Sequence, residues 1–102
     1  MPSFKKLAKV EEIPAGEGRI FEPDGLTIAV FNVGGKFYAM DNTCLHRGGP
    51  LGEGFCENSV VTCPWHGWRY DVTTGGCVEG DPSVKVKIYP VKVENEEIQV
   101  EF

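Results

Sequence analysis

Two short stretches of the sequence pair a cysteine with a histidine at close spacing. One residue separates Cys44 from His46, two residues separate Cys63 from His66, and sixteen residues lie between the pairs. Thiolate sulfur is a soft ligand and imidazole nitrogen a borderline one, so this set suits zinc, copper or an iron–sulfur cluster. The chain contains two histidines in total, and both therefore follow a cysteine.

Glycine and proline surround both pairs. The first pair is followed by Gly48-Gly49-Pro50-Leu51-Gly52, and the second contains Pro64 and is followed by Gly67. Proline disfavours a helix interior or a central strand, and glycine permits positive φ and close approach of the main chain. The sequence therefore predicts two loops that can curl around one metal centre.

The spacing of the pairs narrows the choice of metal. Structural zinc sites usually space their paired ligands by two to four residues, and the single-residue gap between Cys44 and His46 is tight for that. Two cysteines and two histidines are also the ligands of the Rieske [2Fe–2S] centre. The runs Cys44-Leu45-His46-Arg47-Gly48 and Cys63-Pro64-Trp65-His66-Gly67-Trp68 resemble the two cluster loops of the Rieske family. Zinc, or no metal at all, remains the alternative.

The resemblance implies a role for each ligand. Cys44 and Cys63 would hold the inner iron, and His46 and His66 the outer iron near the surface. Two ferric ions, two sulfides and two thiolates sum to zero charge, whereas four thiolates would make the centre two units more negative. An electron is added more easily to the less negative centre, so histidine ligation raises the reduction potential.

The residues around the cluster should set the potential within the Rieske range. The quinol-oxidising branch of the family has a disulfide whose positions correspond to Gly49 and Trp65, and a serine hydroxyl that corresponds to Trp68. Tyr70 keeps the position of that branch's tyrosine. Without the disulfide and the hydroxyl, the potential is expected in the lower half of the range of about −150 to +300 mV.

The resemblance also implies how the loops close around the cluster. Backbone N–H groups of the loops are expected to donate to the sulfides, with close approach at Gly48, Gly49, Gly52 and Gly67. The segment Gly80–Ser83 resembles the proline-bearing third loop that covers the cluster. Trp65 and Trp68 are expected to shield the cluster or pack the loops, and Arg47 and Arg69 to brace acidic neighbours.

Length and charge exclude several classes of protein. A chain of 102 residues is one domain, and its net charge of −5 argues against nucleic acids and anionic membranes as partners. The start of the sequence has no apolar signal region and no run approaches membrane-spanning length, which predicts a cytoplasmic protein. Residues 41–81 hold two arginines and six acids. This excess of negative charge either attracts partners that carry a basic patch or forms a solvated acidic surface.

The two remaining cysteines, Cys56 and Cys77, are expected to be buried small hydrophobes, with a disulfide between them as the alternative. Short apolar runs separated by turns predict an all-β sandwich or barrel without an amphipathic helix. The resemblance implies the Rieske fold, an antiparallel base domain with a cluster-binding subdomain at about residues 42–82. The predicted strands are 4–10, 19–22, 26–33, 36–40, 60–62, 69–72, 77–78, 84–88, 91–94 and 97–102.

The resemblance implies an electron carrier rather than an enzyme. A soluble Rieske ferredoxin would take electrons from a flavin-dependent ferredoxin reductase and deliver them to a terminal ring-hydroxylating oxygenase. A mononuclear iron oxygenase site needs two histidines and a carboxylate, and both histidines are already committed. The alternatives are a fixed small Rieske subunit of a larger reductase, such as nitrite reductase, and a zinc-stabilised interaction module.

Overall fold

The computed structural model describes residues 3–42, 50–65, 67–81 and 83–102, with the side chain of Phe55 excepted. Within these residues the chain forms antiparallel β-strands, short 3-10 turns and no α-helix. The strands are β1 (Phe4–Lys9), β2 (Gly18–Phe21), β3 (Ile28–Val33), β4 (Lys36–Asp41), β5 (Phe55–Glu57), β6 (Val60–Thr62), β7 (Arg69–Asp71), β8 (Cys77–Glu79), β9 (Ile88–Tyr89), β10 (Val91–Glu94) and β11 (Glu97–Glu101). The 3-10 turns are Val10–Glu12, Pro23–Gly25 and Leu51–Glu53.

The strands form three antiparallel sheets. Their strand orders are β1-β11-β10, β2-β3-β4-β9 and β5-β6-β7-β8. The third sheet is a meander of consecutive strands, and it contains the predicted second loop between β6 and β7. The all-β fold class predicted from the sequence is confirmed.

The sheet β2-β3-β4-β9, called the central sheet below, lies between two hydrophobic cores. The side chains of its strand β3 point alternately into one core and the other. Ile28 and Val30 pack with residues of β1 and β11, whereas Ala29 and Phe31 pack with residues of β5 to β8. All four side chains are fully buried. A strand covered on both sides is expected to be continuously apolar, and the sequence Ile28–Phe31 meets that expectation.

Two-residue turns fix the register of three hairpins. Gly34-Gly35, Asn58-Ser59 and Asn95-Glu96 all have positive φ at both positions, as the type I′ turn requires. The Gly34-Gly35 and Asn95 turns were predicted from the sequence. The Asn58-Ser59 hairpin and its first strand, β5, were not, because the three residues Phe55–Glu57 are too few to show a strand pattern without their partner β6.

The predicted strand 84–88 is wrong for most of its length. Only Ile88 belongs to a strand, although Val84 and Val86 face inward as period two requires. The main chain here forms one isolated antiparallel bridge, between Lys85 and Gly76, instead of a continuous ladder. In it Cys77 N–H donates to Val84 O at 3.1 Å, and Val86 N–H donates to Gly75 O at 2.8 Å. The predicted strand 26–33 is also shorter than expected, since it begins at Ile28.

Candidate metal centre

Of the four predicted ligands, the structure describes Cys63, while Cys44, His46 and His66 lie outside the described residues. Cys63 directly follows β6 and is 1% exposed. Its neighbours in the core include Phe31 and Met40 of the central sheet and Tyr70 of β7. A thiol held at a loop start by a packed core is suited to act as a fixed thiolate ligand.

Both backbone groups of Cys63 are hydrogen-bonded across its own loop. Its N–H donates to Trp68 O at 2.7 Å, and its carbonyl accepts from Gly67 N–H at 3.0 Å. Gly67 has a φ of +77°, a conformation that glycine adopts without strain. The loop therefore closes on Cys63 itself, and the position of the thiol follows from the ends of β6 and β7.

Two of the glycine N–H groups that were predicted to donate to the cluster sulfides donate to protein oxygens instead. Gly52 N–H donates to Asn42 Oδ1 at 2.6 Å, and Gly67 N–H donates to Cys63 O. Both donors are thus used within the protein, because each loop needs them to close. Gly48 and Gly49 lie outside the described residues, and their amides stay a prediction.

The third loop packs directly on the second. A Cβ atom at Gly80 would lie 2.8 Å from Cε2 of Trp68, and Gly80 has a φ of +135°. The indole of Trp68 therefore lies against bare main chain. The prediction that Trp68 packs the loops is confirmed, whereas Trp65 is 58% exposed and contributes little to packing.

Polar contacts hold the rest of this loop. Asp81 Oδ1 accepts from Ser83 N–H at 2.9 Å and from Ser83 Oγ at 2.7 Å. These two bonds favour the ionised carboxylate and lower the pKa of Asp81.

Arg69 pairs with Glu79 across the β7–β8 ladder at 3.4 Å, which confirms that this arginine braces an acidic neighbour. Arg47 lies outside the described residues.

A row of side chains crosses the whole meander sheet. Cys56, Val61, Tyr70 and Cys77 are successive cross-strand partners, and all four are buried in one core. The prediction that Cys56 and Cys77 are buried is therefore confirmed. No disulfide joins them, because two further strands separate them. Burial raises the pKa of the Cys56 thiol, which keeps it protonated and unreactive.

Residues 3–42, 50–65, 67–81 and 83–102 contain no group of three or more histidine, cysteine or acidic side chains that could hold a metal ion. None of the described segments forms a helix with the length and hydrophobicity that a membrane crossing requires.

Comparison with known proteins decides the family. Residues 3–90 match the Rieske [2Fe–2S] domain. The chain belongs to the Rieske [2Fe–2S] domain family. Its prosthetic group is a Rieske-type [2Fe–2S] cluster. The buried thiol of Cys63, the one predicted ligand that the structure describes, is of the type that such a cluster takes.

Two proteins similar to this chain come from dioxygenase systems that contain a ferredoxin. The biphenyl dioxygenase ferredoxin subunit of Pseudomonas sp. (strain KKS102) is 34% identical over 101 residues, which are 98% of this chain and 93% of that protein. A chain in the complex of reduced oxygenase and oxidised ferredoxin of carbazole 1,9a-dioxygenase has a TM-score of 0.89 and 31% identity, covering 94% of this chain and 99% of that one.

One further structure shares the Rieske fold alone. A protein described as an NADH-dependent nitrite reductase small subunit from Mycobacterium tuberculosis has a TM-score of 0.91, and the match covers 100% of this chain and 96% of that one. Its identity to this chain is 23%, so this likeness shows the fold alone.

Replacing Gly80 by alanine should separate the third loop from Trp68. Alanine is strained at this φ and its methyl group collides with the indole, at a cost of about 1–3 kcal/mol in stability. The thermal midpoint, followed by circular dichroism at a fixed scan rate, should fall by several degrees. Gly76→Ala is the control, because its Cβ would meet only Thr74 Oγ1 at 3.4 Å. Equal midpoints for the two variants would contradict the packing argument.

Proposed function

We propose that this Rieske protein is a soluble, cytoplasmic one-electron carrier. It takes electrons from a flavin-dependent ferredoxin reductase and delivers them to a terminal oxygenase of the ring-hydroxylating type. The observation that carries the proposal is the match to a dioxygenase ferredoxin subunit over 98% of this chain and 93% of that protein. The match to a chain from an oxygenase–ferredoxin complex supports the choice of acceptor.

The proposed ligands are Cys44 and Cys63 for the inner iron and His46 and His66 for the outer iron. They would lie at the tip of a cluster-binding subdomain of about residues 42–82. The support is the position of Cys63, which starts its loop with a buried thiol and both backbone groups bonded. The meander of β5 to β8, from Phe55 to Glu79, would form the body of this subdomain.

The cluster, when bound, takes up and releases one electron. The protein's own part is to keep its surroundings unchanged between the two states. Cys63, Tyr70 and Met40 lie in a core that excludes water, and Trp68 fixes the third loop against the second through Gly80. Because packed groups and bonded loops cannot reorient freely, the electron is exchanged with little rearrangement of the protein.

The alternatives differ from this proposal in what they require of the chain. A fixed subunit of a nitrite reductase would require a permanent partner, and its resemblance to this chain is confined to the fold at 23% identity. A zinc-stabilised interaction module would carry no inorganic sulfide. Purification and analysis of the native protein therefore separate all three.

Electron shuttling can be tested directly. The chain, in an amount well below that of substrate, is mixed with NADH, a flavin-dependent ferredoxin reductase and a terminal dioxygenase. Hydroxylated product should exceed the added chain many-fold, because each molecule must be reduced and oxidised repeatedly. Isolation of the chain only within a stoichiometric reductase complex, without such turnover, would favour the fixed-subunit alternative.

The ligand assignment predicts the result of histidine replacement. His46→Ala and His66→Ala each remove one nitrogen from the outer iron, and the cluster should be lost or become unstable. Iron and inorganic sulfide per chain and the visible absorption spectrum measure this loss. Cys56→Ala is the control, since Cys56 is a buried thiol outside the ligand set. Unchanged iron, sulfide and spectrum in either histidine variant would refute the assignment.

The residues around the cluster predict a low potential for a Rieske centre. Position 68 carries an indole packed on Gly80 instead of a hydroxyl, and Gly49 and Trp65 provide no disulfide. Fewer donors to the cluster leave the reduced state less stabilised. Potentiometric titration should give a midpoint in the lower half of the Rieske range of about −150 to +300 mV. A midpoint above about +150 mV would refute this prediction.

A further inference from the structure

Asn42, the residue after β4, is bonded through its main chain and its side chain at once. Its N–H donates to Thr27 O at 3.0 Å, and its carbonyl accepts from Leu51 N–H at 2.7 Å. Its Oδ1 accepts from Gly52 N–H at 2.6 Å. The residue is 7% exposed, so these bonds are shielded from water.

The partners of Asn42 are themselves held by the core. Leu51 is fully buried against the residues that surround Cys63. A Cβ atom at Gly52 would collide with Ile20 of β2 and would lie 2.9 Å from Asn42 Oδ1. Only a glycine lets the main chain come this close. One side chain thus ties the end of β4 to a point ten residues further along the chain.

The bonds from Leu51 and Gly52 to Asn42 join two points of the chain on either side of the predicted first cluster loop. Residues 43–50 lie between Asn42 and Leu51, and Cys44 and His46 are two and four residues beyond Asn42 in the sequence. Asn42 therefore holds Leu51 and Gly52, the residues that follow this segment, through both its main chain and its side chain.

We propose that Asn42 is a positioning residue for the cluster. Its carboxamide oxygen accepts a hydrogen bond from Gly52 N–H at the end of the first loop. We call this bond the Asn42 clasp, and it would set the positions of Cys44 and His46 relative to the iron. The proposal rests on the proposed ligand set. The clasp acts through the loop and not through direct contact with the metal. Removal of a hydrogen bond that orients a metal ligand directly commonly costs about 10- to 100-fold in metal affinity, and this range sets the scale of the effect expected for Asn42.

The chain contains a matched control in Asn32. This residue is also 7% exposed, and its Oδ1 accepts a glycine amide, Gly35 N–H, at 2.9 Å while its Nδ2 donates to Ile13 O at 2.7 Å. Asn32 lies towards the Gly34-Gly35 end of the β3–β4 hairpin, and Asn42 follows the opposite end. The two asparagines share burial and bonding, but only Asn42 adjoins a predicted cluster loop.

The test compares the cluster-loaded wild type with Asn42→Ala, Asn42→Asp and Asn32→Ala. The measured quantities are the rate at which a chelator removes iron and the thermal midpoint. Asn42→Ala should lose iron about 10- to 100-fold faster than the wild type. Asn32→Ala should lower the thermal midpoint but release iron within about threefold of the wild-type rate, because its bond supports a distant turn. Asn42→Asp keeps an acceptor for Gly52 N–H and should also stay within about threefold.

Three results would overturn the proposal. Asn42→Ala would release iron no faster than Asn32→Ala, or Asn42→Asp would release it as fast as Asn42→Ala, while the wild type holds its cluster. A wild type without iron and sulfide would instead overturn the ligand set together with the clasp. If Asn42→Ala does not accumulate, the comparison of Asn42→Ser with Asn32→Ser decides, since serine is too short to reach the same amide.

Discussion

The double burial of β3 is the constraint on which the rest of the structure depends. Ile28 and Val30 on one face, and Ala29 and Phe31 on the other, allow a single strand to support two cores. The base sheet of β1, β11 and β10 packs on the first face, and the meander of β5 to β8 packs on the second. Cys63 shares the second core with Phe31, so the position of a proposed ligand is set by the centre of the fold.

The loops near the proposed cluster use bare main chain as a packing surface. Gly52 lies against Ile20 and the oxygen of Asn42, and Gly80 lies against the indole of Trp68. In each case a side chain from one segment occupies the space where another segment has none. Contacts of this kind couple neighbouring loops more tightly than flexible side chains could, because the main chain has few ways to move aside.

The sequence predicted those strands and turns whose own residues determine their conformation. The continuous apolar run of β3 and the alternation of β11 indicated strands, and Gly34-Gly35 indicated a turn. The strand predicted over residues 84–88 failed because period-two burial does not specify where the backbone bonds go; here they go to Gly75 and Cys77. The short β5 was missed because its pairing depends on β6 rather than on its own three residues.

The candidate site shows the same division. The types and spacing of the proposed ligands were readable, since they are a property of the sequence, and they indicated the family that comparison with known proteins shows. The role of Asn42 was not, although asparagine before a loop commonly bonds to nearby backbone. Which amide it reaches depends on Leu51 being buried and on Ile20 closing over Gly52. Such partners are selected by the packed sheets and not by the neighbours of Asn42 along the chain.

The row from Cys56 through Val61 and Tyr70 to Cys77 bears on how the scaffold tolerates oxygen. Three strand spacings separate the two thiols, roughly 14 Å, and a disulfide needs Cα atoms within about 7 Å. Oxidation therefore cannot form a disulfide between Cys56 and Cys77 in the folded sheet. Loss of the cluster to an oxidant would therefore not be accompanied by a cross-link between Cys56 and Cys77 across the meander sheet.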